Sequence, residues 1–133
     1  MIGGIGTDLV AIERIGRVWR RHGERLCAHI LSPEELREVD AIRDVPRWLA
    51  KRWAVKEAFA KACGTGMRAP VKWAGITVIH DDLGRPDLRF APFIQAWLHR
   101  RGIDRCHVTI SDERDMVCAF VVLEHKESPN AAA

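Results

Sequence analysis

From Arg47 to Cys63 the chain carries neither glycine nor proline, and Gly64 follows at once. The stretch predicts one long helix that begins at Pro46 or Arg47, after the break Asp44-Val45-Pro46, and stops at a glycine C-cap. At ~1.5 Å per residue such a helix crosses a small domain from side to side, so the other elements have to pack around it. Upstream, residues 2–10 alternate, with Ile5, Thr7 and Leu9 facing one way and Gly4, Gly6 and Asp8 the other. That pattern predicts a strand with one bare face open to close approach. Ile12, Ile15 and Trp19 recur at helical spacing among arginines, which predicts an amphipathic helix stopped near Gly23. Ser32-Pro33-Glu34-Glu35 is a capped helix start, with a short helix expected to about Arg43.

After Pro70 the period changes from helical to alternating. Residues 75–79 and 86–90 flank the turn Asp81-Asp82-Leu83-Gly84-Arg85 and predict a hairpin. Pro92 opens a helix to Arg101, and residues 106–111 and 116–124 predict two strands joined at Asp112-Glu113-Arg114-Asp115. The expected fold is α+β: a single small domain over residues 1–126, with an antiparallel sheet packed against the long central helix. Residues 127–133 are expected to form a disordered tail.

With 47% hydrophobic and 29% charged residues in 133, the chain fits one soluble globular domain and excludes a disordered one. No apolar run is long enough to span a bilayer, and the opening Met-Ile-Gly-Gly lacks the basic start and apolar stretch of a secretory signal. A cytoplasmic protein with no membrane partner is expected. Cys27, Cys63, Cys106 and Cys118 are scattered without a C-x-x-C pair, which favours reduced structural thiols over a zinc site. The formal charge is only +3, but Arg14, Arg17, Arg20, Arg21 and Arg25 crowd one early segment. They call for an acidic partner. Nucleic acid is the usual candidate for a basic helix, yet no aromatic stacking motif supports it, and an acidic protein surface fits equally well.

The central helix carries the chemistry. Glu57 shares its face with Trp53, Ala54, Ala60 and Lys61, so the carboxylate emerges from a surface that is mostly apolar or small. One reading is a Glu57–Lys61 pair worth a few tenths of a kcal/mol, with Asp8 a helix cap and Gly64 a C-cap. The combination argues for more: Asp8 and Glu57 come from separate elements, and Arg52, Lys56 and Lys61 lie just before the loop Gly64-Thr65-Gly66, whose backbone N–H groups could approach a phosphate. Two carboxylates with cations beside them suit a divalent metal holding a phosphorylated substrate. His107 alternates with Thr109 and Ser111 on a polar strand face, from which it could reach a ligand.

Taken in order, Gly4-Ile5-Gly6-Thr7-Asp8-Leu9-Val10, then Trp48 to Gly66 with its W-x-x-K-E-A-x-x-K-A-x-G-T-G block from Trp53, then His107-Val108-Thr109-Ile110-Ser111, resemble the 4′-phosphopantetheinyl transferases in their small, single-domain, holo-[acyl-carrier-protein] synthase branch. The resemblance spans about residues 2–124. It implies the transferase fold and the magnesium-dependent transfer of 4′-phosphopantetheine from coenzyme A to a serine of acyl carrier protein, with adenosine 3′,5′-bisphosphate released. By match to the motifs, Asp8 and Glu57 would hold the metal and be the catalytic pair, Glu57 being also the candidate base. Arg52, Lys56 and Lys61 would neutralise the phosphates of coenzyme A, Gly64 and Gly66 would shape the loop against it, and His107 would approach its nucleotide end or a phosphate. The turn Gly84-Arg85-Pro86 would border the adenine. Arg14 and Arg25 would meet the acidic helix of the carrier protein, and the resemblance implies a homotrimer with sites between subunits. Relatives that place a second histidine after the last motif contrast with Asp112 here. The alternative is a non-catalytic basic module that binds an acidic protein through the early arginines and is indifferent to Asp8 and Glu57.

Overall fold

The structure, a computed structural model, describes residues 1–127, so the tail expected at 127–133 lies almost wholly outside the described residues. Five strands and five helices follow in the order β1 (Ile2–Ala11), α1 (Ile12–His22), α2 (Glu24–Ile30), α3 (Pro33–Leu36), α4 (Val45–Cys63), β2 (Ile76–His80), β3 (Pro86–Phe90), α5 (Pro92–Arg100), β4 (Ile103–Asp112) and β5 (Met116–His125). The expected long helix is α4. The Asp44 side chain accepts from the Arg47 N–H at its start, and Gly64 ends it at a left-handed φ of 77°. Twelve of its nineteen residues are buried, so it is surrounded on nearly every side as a central helix must be.

Two antiparallel sheets pack around α4. One has the order β1-β5-β4, and the other is the β2-β3 hairpin. In the larger sheet the register places Ile5 opposite Val122, Thr7 opposite Phe120 and Leu9 opposite Cys118, while His107 and Thr109 pair with Val122 and Phe120 from the other side. The alternation read in β1, β4 and β5 therefore resolves into two faces. Val10, Val117, Ala119, Val121 and Leu123 are buried on the face towards α4. The opposite face bears Ile5, Leu9 and Phe120, which are 59%, 62% and 42% exposed.

One expectation is corrected in the helical half. The helix expected to run from Ser32 to about Arg43 closes after one turn, with a separate 3-10 turn at Val39–Ala41. Helix α1 stops at Gly23 (φ 37°) as expected, but a further helix that the sequence reading did not anticipate, α2, follows at once and buries Leu26, Cys27 and Ile30.

All four cysteines are free. Burial pushes the Cys63 and Cys106 thiols up to about 12 from an ordinary 9.0. The proton is thus held more tightly in the folded chain than in the unfolded one, so the thiols favour folding below pH 9 and lose that contribution as pH rises towards 12. At pH 8 both remain protonated. A thiolate-directed reagent at that pH is expected to spare Cys63 and Cys106 in the native protein and to label them in denaturant, as peptide mapping would show; native labelling of either at the denatured rate would contradict the burial described.

Candidate active site

The site begins with two glycines. A Cβ on Gly6 would stand 1.9 Å from the Ala58 carbonyl oxygen, and one on Gly4 would stand 2.0 Å from that of Ala62. Strand β1 therefore lies directly on the backbone of α4, an approach that only glycine permits. Asp8, two residues beyond Gly6 on the same face of β1, is brought to the turn of α4 that carries Glu57 and Lys61. The bare face predicted for the strand is thus filled by the helix.

Lys61 Nζ donates to Asp8 Oδ1 at 3.2 Å and to the Thr7 carbonyl oxygen at 3.0 Å. The lysine thus bonds across to the strand, and the ion pairs of the described residues do not include one between Lys61 and Glu57. Asp8 Oδ2 is buried and has no hydrogen-bond partner. Burial pushes the Glu57 carboxyl above its ordinary range, the Asp8 charge pushes it further in the same direction, and Lys61 and Arg14 oppose both. Two carboxylates within each other's field, one with an orphaned oxygen, make a hard-oxygen donor set short of a cation. Among the described residues no three His, Cys, Asp or Glu side chains come together as a metal cage. Two protein carboxylates with open positions are the arrangement magnesium takes when substrate phosphate completes its shell, so the residues present fit that ion.

Other predicted site residues go elsewhere. Lys56 is fully buried, and its ammonium donates to Glu35 Oε1 at 2.6 Å, to the Ile30 carbonyl at 2.6 Å and to the Trp73 carbonyl at 3.1 Å. All three of its protons are spent inside the protein. Arg52 is 5% exposed, lies over the Trp48 ring and is ion-paired to Glu35 at 3.3 Å and Glu38 at 3.7 Å. The expectation that Arg52 and Lys56 neutralise substrate phosphates is therefore corrected: both face a buried carboxylate on the far side of α4. Gly64 and Gly66 form an open left-handed loop, with no atom within 4 Å of a Cβ at either. Their N–H groups, however, donate back to the Lys61 and Ala60 carbonyls, so they shape the loop and do not offer donors to a phosphate.

His107 stands on the sheet face away from α4, paired through Nε2 with Glu124 Oε1. It lines a cavity of about 440 Å³ between β3, α5 and β4 together with Arg85, Pro86 and Arg105. His107 and the Gly84-Arg85-Pro86 turn are thus brought together, as are Asp8, Glu57 and Lys61, but the sheet separates the two groups within one chain. Arg14 and Arg25 are exposed on α1 and α2. Arg14, Arg17 and Arg21 surround Val18 in a shallow depression, and Arg20 is occupied by Glu13 at 2.6 Å. Sequence reasoning missed Glu35 as the partner of two cations, Glu124 as the partner of His107, and the Thr7 carbonyl. Only Glu35 left a signal, as the third residue of a capping box.

The sequence model of the 4′-phosphopantetheinyl transferase superfamily matches residues 4–121. A holo-[acyl-carrier-protein] synthase of Laribacter hongkongensis is 50% identical over 124 residues, which cover 93% of this chain and 99% of that one. The crystal structure of holo-[acyl-carrier-protein] synthase from Neisseria meningitidis superposes with a TM-score of 0.90 at 47% identity, covering 93% and 99% of the two chains. That of the Bacillus anthracis synthase in complex with CoA (3′,5′-ADP) gives 0.80 at 30% identity, covering 95% and 99%.

Proposed function

Since the chain belongs to the 4′-phosphopantetheinyl transferase superfamily and is an enzyme of its holo-[acyl-carrier-protein] synthase branch, we propose that it transfers 4′-phosphopantetheine from coenzyme A to a serine of apo acyl carrier protein with magnesium as cofactor. The serine oxygen bonds to the phosphorus that bears pantetheine, the bond from that phosphorus to the bridging oxygen breaks, and adenosine 3′,5′-bisphosphate leaves. The observation that carries this reading is the orphaned Asp8 Oδ2 beside the half-buried Glu57 and the Lys61 ammonium.

A magnesium ion held by Asp8 and Glu57 would neutralise charge on the pyrophosphate. Burial makes Glu57 a stronger base than an exposed glutamate, which suits it to take the serine proton directly or through a water. Lys61, the one basic side chain of the W-x-x-K-E-A-x-x-K block that reaches this side of α4, is the cation for the departing phosphate. Arg85 and His107 line a cavity suited to the nucleotide end. Arg14 and Arg25 form the basic surface for the acidic helix of the carrier protein.

The exposed Ile5, Leu9 and Phe120 supply an apolar sheet face for packing against further copies, which supports a homotrimer. Such packing would turn the His107 face of one subunit towards another chain, as a site shared between subunits requires. No helix among the described residues is long and apolar enough to cross a membrane, and with four free cysteines the cytoplasm is the compartment we assign.

The test is incubation of the purified protein with apo acyl carrier protein, coenzyme A and magnesium, read by intact mass. A gain of one phosphopantetheine that a chelator abolishes is the expected result. Glu57→Gln should lower the rate about 10²-fold, ~2.7 kcal/mol of barrier. Full turnover by that variant would take Glu57 out of the site, and no gain on any carrier by the folded wild type would leave only a binding module.

A further inference from the structure

Lys61 is half exposed, yet its ammonium is held at two points. A surface lysine loses rotamer freedom when pinned, so something in the site must outweigh that loss. The structure shows what does. Asp8 is 15% exposed with one oxygen orphaned, Glu57 adds a second carboxylate, and the Thr7 carbonyl is aimed at the same point. The ammonium therefore stands where the negative field of the pair converges.

Building on the metal reading above, we propose that Lys61 is the resident cation of the unloaded site, so that a divalent ion binds by displacing its ammonium from Asp8. A magnesium ion draws oxygen ligands to about 2.1 Å, whereas the ammonium holds Asp8 Oδ1 at 3.2 Å. Both cannot crowd the same carboxylate without strong repulsion. The side chain that gives way has four rotatable methylenes and faces solvent over half its area. It needs no backbone movement to leave Asp8, and once free it can turn to an incoming phosphate. Loading with metal and release of the phosphate-seeking lysine are then one event, because each cation weakens the hold of the other.

Arg14 separates this exchange from simple charge repulsion. It acts on Glu57 through its field and figures in none of the ion pairs or side-chain hydrogen bonds of the described residues. Binding of Mn²⁺ alone, with no substrate present, can be followed by electron paramagnetic resonance for the wild type, Lys61→Met, Arg14→Met and Asp8→Asn, with circular dichroism confirming that each is folded. Lys61→Met is expected to bind Mn²⁺ about 10-fold more tightly, within the usual range for a coupling of this kind, and Arg14→Met less than 2-fold. Unchanged or weaker binding by Lys61→Met would overturn the exchange, and so would equal gains in the two variants, which would show only a diffuse field. Wild-type binding that Asp8→Asn leaves intact would remove the carboxylate pair as the metal site, a separate failure, and the exchange with it.

Discussion

Glu35→Ala is expected to destabilise the protein by about 3–5 kcal/mol, the cost of breaking a buried pair and leaving its partner uncompensated. The Glu35 carboxylate is 1% exposed and accepts from the Ser32 N–H at 2.9 Å, from the Val78 N–H at 3.0 Å and from Lys56 at 2.6 Å, with Arg52 at 3.3 Å. It therefore ties α3, β2 and α4 together at one atom group. Its removal leaves Lys56, fully buried, with two carbonyls and no counter-charge. Burial already pushes the Lys56 ammonium below its ordinary range, and Glu35 is what opposes that push. Denaturant unfolding would measure the loss, which corresponds to a drop in Tm of roughly 10–20 °C. A loss below 1 kcal/mol would mean that water or a neighbour replaces the carboxylate. Lys56→Met in the Glu35→Leu background should recover much of the loss, because a packed apolar pair carries no desolvation cost.

Gly6→Ala should cost about 3 kcal/mol and should also disable the site. The added methyl would fall 1.9 Å from the Ala58 oxygen and 2.7 Å from the Ala62 nitrogen, both of them backbone atoms of a buried helix that cannot turn aside. Relief requires β1 to lift from α4, at the upper end of what overpacking costs in a close-packed core. The same lift carries Asp8 away from Glu57, so Mn²⁺ binding should fall together with stability. Gly64→Ala is the contrast: no atom lies within 4 Å of the new Cβ, and only the left-handed φ of 77° opposes it. A Gly6→Ala protein of wild-type stability and metal affinity would show that the strand does not depend on that contact.

Much of this was written locally. The long helix, the capping box at Ser32, the hairpin over residues 76–90 and the two closing strands follow from caps, turns and period alone. Helix α2 leaves no periodic signal in the sequence, because its seven residues make only two turns and follow directly on the stop at Gly23. Asp8 and Glu57 stand out in the sequence because two carboxylates and a lysine lie on otherwise small or apolar faces, and the structure brings the three together. The sequence does not separate Lys56 from a site residue, because a helix buried on nearly all sides has no polar face to reason from. Its neighbour Glu57 looks identical in sequence context, and only the long-range position of Glu35 sends the two in opposite directions. The parity of His107 within β4 was readable, but its side of the sheet relative to Asp8 depends on the register of three strands.

The two faces of β1 belong to different tasks. On one side its glycines and Asp8 lie against α4; on the other, Ile5 and Leu9 stand in the open. Whatever settles on Ile5 and Leu9 is a single backbone thickness from the carboxylate of Asp8, with no loop or hinge to absorb a misfit. A drift in whatever packs on the outer face would reach Asp8 within one ribbon of ten residues, so this strand leaves little room for its outer surface and the Asp8 carboxylate to evolve independently.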